Sequence, residues 1–600
     1  MENQAPQFPF SLAPILPPAL RGWTQPLIPA LENLLIPREV VESFDKARRS
    51  GNGARFAAGL LDSLEIRFHI DDRDLARIPA HGSAILVANH PYGILEGLIL
   101  TIVLSGVRPD FKIVANSWLR SIPELRDQLI LVNPFETAAA HAENRAPLRA
   151  ALRWLAGGGM AAVFPAGEVA HVDWKEQSVT DSTWKTSAAR MALRTRCAVI
   201  PAFFEGANSM PFQIAGMLHP GFRTVGLARE FARLSGKTIR LHIGSPIPHT
   251  TLERYRSAAE ATAYVRHRTF ILASRSQCVP QPICSRLPQA ATSSVAEPCL
   301  YDEVAALPPE CELANDRNFS VYLADSRQIP ALLQEIGRCR EVAFRSVGEG
   351  TGKQIDLDQF DEYYRHLFLW HRAERRLAGA YRLATTSDVL PRYGIAGLYT
   401  STLFRFDRAF FDRVGPAVEL GRSFVVQEYQ KNYAALLLLW KGISRLVLRR
   451  PEAPILFGAV SISPDYSPVS RSLMASYLRE RAGHELALFV TPRAKFRGRL
   501  RRNSLVERLV ATACDIEDLS LSISDIEADG KGIPVLIRQY LKTGGRVLAF
   551  NVDAKFSNAL DALMLADLRM APAALLERCM GRAEAHAFLA AHNSSACPTH

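Results

Sequence analysis

From residue 274 the chain reads Ser274-Arg-Ser-Gln-Cys-Val-Pro-Gln-Pro282 and continues in Pro, Ala, Thr and Ser to Ala296-Glu-Pro-Cys299. Such a composition cannot bury an apolar core and reads as a linker. It splits a chain of 600 residues, already too long for one core, into two domain-sized halves. The organisation that follows is an N-terminal arm over 1–50, a first domain over 51–273, a linker over 274–300, a second domain over 301–583 and a loose tail over 584–600.

In the first half, short apolar runs alternate with longer helical patterns. Strands are predicted at Ser83–Ala88, Lys112–Ala115, Leu129–Val132, Met160–Phe164, Ala198–Phe204 and Thr238–Ile243. Alternation of this kind argues for α/β layers. The second half is also mixed, with strands predicted at Phe319–Ala324, Leu377–Ala384, Leu398–Phe404, Ala417–Val426, Ile455–Val460 and Gly545–Phe550. The fold class expected is therefore α/β in both domains, with no internal repeat.

An apolar fraction of 48% and a charged fraction of 22% exclude long-range disorder. Nine cysteines lie scattered without paired spacing, and no signal-like run opens the chain, so a reducing cytoplasm is the expected address. The His and Cys residues lack ligand spacing, and no metal is expected. A net charge of +11 calls for an acidic partner. No uncharged run reaches the roughly 18 to 20 residues that cross a bilayer, so membrane contact is expected to be peripheral, on the inner face of the cytoplasmic membrane. The Pro- and Leu-rich stretch Phe8–Pro37 either lies at that interface or packs on its own domain. Arg493-Ala-Lys-Phe-Arg-Gly-Arg-Leu-Arg-Arg502 holds six cations in ten residues and suits an anionic membrane surface or an acidic protein. No helix-turn-helix, zinc-finger or RNP-like pattern accompanies it, so nucleic acid is not expected.

The segment richest in chemistry is Val87-Ala-Asn-His-Pro-Tyr-Gly-Ile-Leu-Glu96. An apolar strand, Ala84–Ala88, delivers Asn89 and His90 to its end, and Pro91 sets up a following helix. His90 can act as general base on an alcohol, because imidazole is largely neutral at pH 7. Glu96, in the early turns of the helix, can orient the ring and stabilise its charged form. Val163-Phe-Pro-Ala-Gly-Glu168 and Val199-Ile-Pro-Ala-Phe-Phe-Glu-Gly206 each end a strand in a Pro/Gly turn with a carboxylate, and Asn208 and Arg223 follow.

The order of these blocks, over roughly residues 75–250, resembles the glycerolipid acyltransferases, which move fatty acyl groups from thioesters onto lysolipids. The resemblance implies His90 and Glu96 as the catalytic pair. It also implies that Asn89, Tyr92, Gly93, Phe164, Pro165, Gly167, Glu168 and Asn208 bind substrate. Two departures matter. That family places four residues between its His and an Asp, whereas here five precede Glu96 and position 95 is Leu. A one-residue shift turns a helical side chain by about 100°, so the dyad must be relaid. The family's Phe-Pro-Glu-Gly-Thr-Arg is here Phe164-Pro-Ala-Gly-Glu-Val169, with no Arg following. Arg is the preferred bidentate partner of phosphate, so a phosphorus-free acceptor is expected. His90-Pro-Tyr-Gly-Ile-Leu-Glu-Gly97 is similar to the variant in the O-acylating half of bifunctional ornithine-lipid synthases.

In the second half, a helix through Arg338–Arg345 carries Arg340 and Phe344 on one face. Asp358 and Asp361 follow an irregular stretch, Arg382 sits on a predicted strand, and Glu419-Leu-Gly-Arg422 sits on another. Taken singly, each charge is a surface group or half of a local ion pair. Their order over about residues 319–570 resembles the GNAT-related acyl-homoserine-lactone synthases and the ornithine N-acyltransferases that share their fold. The stretches Pro534–Arg546 and Phe550–Asp553 resemble the latter. The usual GNAT pyrophosphate loop is replaced by Gln427-Glu-Tyr-Gln-Lys-Asn-Tyr433, which points to an acyl carrier protein as donor and to no other cofactor. By the resemblance, Glu419 gathers the amine and relays its proton, while Arg340, Phe344, Asp358, Asp361, Arg382 and Arg422 bind substrate. Asp358 and Asp361 either hold a cationic amino acid or pin Arg340 and Arg382.

Together these readings imply a bifunctional enzyme. Its C-terminal domain would acylate ornithine with a 3-hydroxyacyl group from acyl carrier protein, and its N-terminal domain would O-acylate the lyso-ornithine lipid. Two alternatives stay open: a lysophospholipid acyltransferase fused to a carrier-binding GNAT-like domain, and a haemolysin-like membrane-binding protein.

Overall fold

The computed structural model describes residues 36–133, 137–173, 178–213, 220–277, 297–430, 433–498 and 505–593. Most of the Phe8–Pro37 stretch, the end of the basic segment from 499, most of the linker and the Arg223 side chain lie outside the described residues. The chain forms two compact units, one of residues 1–277 with 507–530 and the other of 278–506 with 531–600.

The first unit is built on a seven-stranded sheet. In chain order its strands are β1 (Arg67–His69), β2 (Ala84–Ala88), β3 (Phe111–Asn116), β4 (Leu129–Val132), β5 (Met160–Val163), β8 (Ala198–Phe204) and β9 (Thr238–Ile243), and a separate hairpin holds β6 (His171–Asp173) and β7 (Ser178–Thr180). Across the sheet they run β1-β9-β8-β2-β5-β3-β4. All pairs are parallel except β8 with β9. Helices cover both faces, which is why central β2 is apolar at every position. Ala84, Leu86 and Ala88 join one core with Phe44, Phe56 and Leu98, while Ile85 and Val87 join another with Ala151, Ala189 and Tyr264.

The domain boundaries expected from sequence are corrected here. Residues 507–530 belong to the first unit, although they follow some 230 residues of the second domain. The helix Ile516–Ile526 buries Leu519, Ile523 and Ile526, and two of its acids meet Arg268 of the helix Ala258–Phe270. Arg268 lies 3.2 Å from Asp518 and 2.9 Å from Asp525, with all three side chains at most 6% exposed. Arg77 adds a second contact to Asp525 at 2.9 Å. The linker also begins later than residue 274, since Ile271–Gln277 forms a 3-10 helix whose Arg275 pairs with Asp74.

The second unit holds an eight-stranded sheet made of β10 (Glu312–Asn315), β11 (Phe319–Asp325), β12 (Arg365–His371), β13 (Arg376–Thr385), β15 (Ala417–Val425), β16 (Ile455–Ile462), β18 (Arg546–Asp553) and β19 (Ala559–Asp567). A small two-stranded sheet pairs β14 (Phe404–Phe406) with β17 (Val490–Pro492). The large sheet runs β10-β11-β12-β13-β15-β16-β19-β18, antiparallel apart from β15 with β16. That parallel pair is short: Ala417–Glu419 face Ile455–Phe457, and no ladder pair follows among the described residues although both strands continue.

Two further expectations are corrected in this unit. The predicted strand Leu398–Phe404 is instead a 3-10 helix, Tyr399–Thr402, leading into β14, because the Tyr399 and Thr400 amides turn toward a buried carboxylate. The tail expected to be loose from 584 is helical from Arg582 to Asn593, with Ala585 and Phe588 buried. Among the described residues, no helix is long and apolar enough to cross a membrane.

Candidate active sites

In the first unit the site sits at the C-terminal end of β2, a favoured edge of a parallel sheet. Asn89 locks the strand end by a two-way bond to β8, its amide donating to the Phe204 carbonyl at 2.9 Å and its oxygen accepting from the Phe204 amide at 2.7 Å. His90 then stands free to project, at 16% side-chain exposure. Its Nδ1 lies 3.4 Å from Glu96 Oε1, and Glu96 is fully buried in the first turn of the helix Leu95–Val107. The displaced carboxylate therefore still reaches the ring. Gly93 makes this possible: at φ 106° it takes up the extra residue in a left-handed turn, and a Cβ there would press on Leu227 at 2.9 Å. The Tyr92 amide donates to Glu96 Oε1 at 2.6 Å and fixes the carboxylate.

Burial alone would pull the His90 imidazole down, but the Glu96 carboxylate more than offsets it and holds its pKa above that of ordinary histidine. Phe164 stacks on the ring with centroids 4.4 Å apart. Asp181 was missed by sequence reasoning: it accepts from the His90 amide at 3.1 Å and from Trp184 Nε1 at 2.8 Å. It stands on no recognisable block, so only the fold exposes it. Tyr92 donates to the Glu205 carbonyl at 2.8 Å, and the Asn208 amide reaches the Tyr92 carbonyl at 3.5 Å. Pro165 is buried, Gly167 turns at φ 73°, and Glu168 is exposed on the same loop.

In the second unit the charges named from sequence converge. Arg340, Arg382 and Glu419 are each 1% exposed. Asp361 accepts from Arg340 at 3.0 Å and from Arg382 at 2.9 Å, and Arg382 also donates to Asp358 at 2.6 Å. Burial pushes the Asp361 carboxyl up, but the two guanidinium groups outweigh it and hold it at about 2. Asp358 and Asp361 also close a capping box around the short helix Gln359–Glu362. Of the two roles left open for these acids, pinning the arginines is the one the geometry supplies.

Glu419 accepts the Thr400 amide at 2.7 Å, the Tyr399 amide at 3.3 Å and the Tyr364 phenol. Burial nevertheless raises its pKa above the ordinary carboxylate range. Arg422 occupies the left-handed region at φ 50°, beside a register shift between Ala380 and Arg382 where β13 meets β15. The guanidinium lies over Tyr399 at 5.1 Å and Phe556 at 4.4 Å, and Phe344 packs edge-on against Phe556 at 6.2 Å. Tyr364, Tyr399 and Asp356 complete the centre and were not singled out from sequence. Tyr364 and Tyr399 belong to an aromatic run with Phe360 and Tyr363 that reads as ordinary core.

Residues 66–278 match the family model described as Acyltransferase, and residues 339–441 match the Acetyltransferase (GNAT) domain. The protein is thus an acyltransferase of two parts, a lipid-acyltransferase-like α/β domain and a GNAT-like α/β domain. A protein of Bacteroides thetaiotaomicron named Glycine N(alpha)-acyltransferase is 33% identical over 245 residues, which cover 38% of this chain and 71% of that one. The chain belongs to the acyltransferase family of that relative. A Lyso-glycine lipid O-acyltransferase of Phocaeicola vulgatus is 25% identical over 239 residues, covering 39% of this chain and 82% of its own. The solved 1-acyl-sn-glycerophosphate acyltransferase of Thermotoga maritima aligns with 38% of this chain and 78% of its own at 18% identity and a TM-score of 0.26.

Proposed function

We propose that this chain makes a phosphorus-free aminolipid by two successive acyl transfers. The GNAT-like domain acylates the α-amine of ornithine with a 3-hydroxyacyl group from acyl carrier protein, and the lipid-acyltransferase-like domain then esterifies that chain's hydroxyl. The observation that carries the reading is the presence in one chain of an imidazole base on a buried carboxylate and a separate buried centre rich in arginine and carboxylate.

In the first step the neutral amine attacks the thioester carbon, the C–N bond forms as the C–S bond breaks, and the leaving thiolate takes up a proton. Both Glu419 oxygens already accept hydrogen bonds, so Glu419 relays the amine proton through the Tyr364 phenol. In the second step Nε2 of His90, the nitrogen turned away from Glu96, takes the hydroxyl proton while the new C–O bond forms, and as the C–S bond of the second thioester breaks the leaving thiolate takes that proton from the imidazolium. The enzyme works from the cytoplasmic face of the membrane as a peripheral protein, with the basic segment beginning at Arg493 facing the acidic carrier or anionic lipid.

A second reading, favoured by the names of the relatives, puts glycine in place of ornithine. Mass spectrometry of lipids from a bacterial host expressing the chain tests both. A new phosphorus-free lipid carrying ornithine supports the first reading, one carrying glycine supports the second, and the absence of any such lipid defeats both.

A further inference from the structure

Asp358 and Asp361 have their charge matched by Arg340 and Arg382, and so have little to offer a ligand's cation. A second set of carboxylates lacks such matching. Asp561 on β19 is the ladder partner of Ser461 on β16 and of Asn551 on β18. Partners in an antiparallel ladder point to one face, so these three side chains share it. Asp553, two residues beyond Asn551, lies on the same face. Ser461 Oγ donates to Glu349 Oε2 at 2.6 Å and brings a third carboxylate against it. Glu349 and Asp561 are 6% exposed and Asp553 is 8%.

One oxygen of Asp561, Oδ2, is buried with no hydrogen-bond partner among the described residues. The nearby cation is Arg422, whose guanidinium is turned to Asp356 at 3.5 Å and Asp358 at 3.6 Å. Burial, reinforced by Asp553 and Glu349, pushes the Asp561 carboxyl well above the usual range, and burial takes Glu349 up to about 7. Such a carboxyl is held toward its neutral form, and a cation that bonds the open oxygen favours its ionised one. The amino-acid acceptor of the reading above can bring such a cation as a side-chain ammonium.

Resting on the two-step reading above, we propose that Asp561, with Glu349 and Asp553, receives the side-chain ammonium of a dibasic amino-acid acceptor. These acids adjoin the Glu419 centre through Tyr399, whose amide donates to Glu419 at 3.3 Å and whose ring carries Arg422. An acceptor with its α-amine near Glu419 and its carboxylate at Arg422 extends its side chain toward Asp561. Glycine leaves these carboxylates unpaired. Norvaline, which has the carbon chain of ornithine without the terminal amine, sets a methyl group against them.

The test is N-acylation by the purified full chain, with 3-hydroxyacyl-loaded carrier protein as donor and ornithine, norvaline or glycine as acceptor. A site built to bond a polar group rejects the analogue lacking it strongly, so wild type should favour ornithine over norvaline by at least about 100-fold in kcat/KM. Asp561→Asn should bring that ratio within about 10-fold, through a raised KM for ornithine at little cost in kcat. Glu349→Gln should act in the same direction to a smaller extent. A wild-type ratio near one, a preference for glycine, or an unchanged ratio in Asp561→Asn overturns the pocket and leaves the two-step reading standing. Failure to acylate any amino acid sinks the two-step reading, and the pocket with it. Should Asp561→Asn fail to fold, the wild-type ratio and Glu349→Gln decide.

Discussion

The His90 site draws its base, its carboxylate and the turn between them from the eight residues Asn89–Glu96. The Glu419 site instead gathers its charges from Arg340, Asp356, Asp358, Asp361, Arg382 and Arg422, which lie on four separate elements or connections and neutralise one another. In the first, backbone geometry supports the reactive side chain, and removing that side chain leaves the support standing. In the second, the reactive groups are each other's support. Chemistry and stability should therefore separate at one site and stay coupled at the other.

Replacing His90 by Ala tests the first half of that contrast and should have the largest effect. Loss of a general base costs about 10²–10⁴-fold in rate. The single-chain lyso product should accumulate, N-acyl transfer should persist, and the melting temperature should change little, because the bonds that hold the strand end to β8 run through Asn89 and not through the ring. A large drop in melting temperature would mean that this site is as structural as the other. Arg382→Met tests the second half. It takes from Asp358 its 2.6 Å partner and from Asp361 one of two guanidinium groups, Arg340 remaining, and breaking a buried pair costs about 3–5 kcal/mol. Denaturant unfolding should show that loss together with the loss of N-acyl transfer. An active, fully stable Arg382→Met protein would break the comparison.

The contrast also governs what could be read from sequence. Asn89, His90, Gly93 and Glu96 were legible because strand, turn and helix follow one another directly, and most of the strands of both sheets show as apolar runs. Arg340, Asp361 and Arg382 were legible only as an ordered series, and their mutual pairing needed the sheet. Asp561 and Glu349 escaped notice because a lone acid in an apolar strand or loop looks like any other charge; only the β16-β19-β18 register, with the Ser461 hydroxyl bonded to Glu349, brings them together. Residues 507–530 were assigned to the wrong unit for the same reason. Contiguity is a sound guide to domains until a chain returns, and nothing local in the helix Ile516–Ile526 announces that Asp518 and Asp525 serve Arg268.

Smaller effects sharpen the contrast within the first site. Glu96 both orients the ring and raises its pKa, and the two roles separate in a pH profile. The base form of His90 is the active one, so O-acyl transfer should rise with pH and level off above the raised pKa. Glu96→Gln removes the charge that raises it and leaves the burial that lowers it, so the inflection in kcat/KM should move to lower pH. The plateau should fall by about 10-fold, in keeping with the loss of one orienting contact. An inflection that stays in place would mean that the carboxylate is not the group His90 titrates against.

In the second site the corresponding probe is Tyr364→Phe, which removes one of three donors to Glu419 together with the hydroxyl that accepts from the Tyr399 amide at 2.9 Å. Burial and the neighbouring Glu419 both push the Tyr364 phenol up, so it stays protonated across the working range and acts as a donor that passes protons on. If Glu419 works through this phenol, N-acyl transfer should fall about 10- to 100-fold in kcat, with KM for the amino acid little moved. The stability cost should be about 1–2 kcal/mol, because two backbone amides still hold the carboxylate. A loss of stability with kcat intact would make Glu419 a purely structural anchor, as its complete burial would permit.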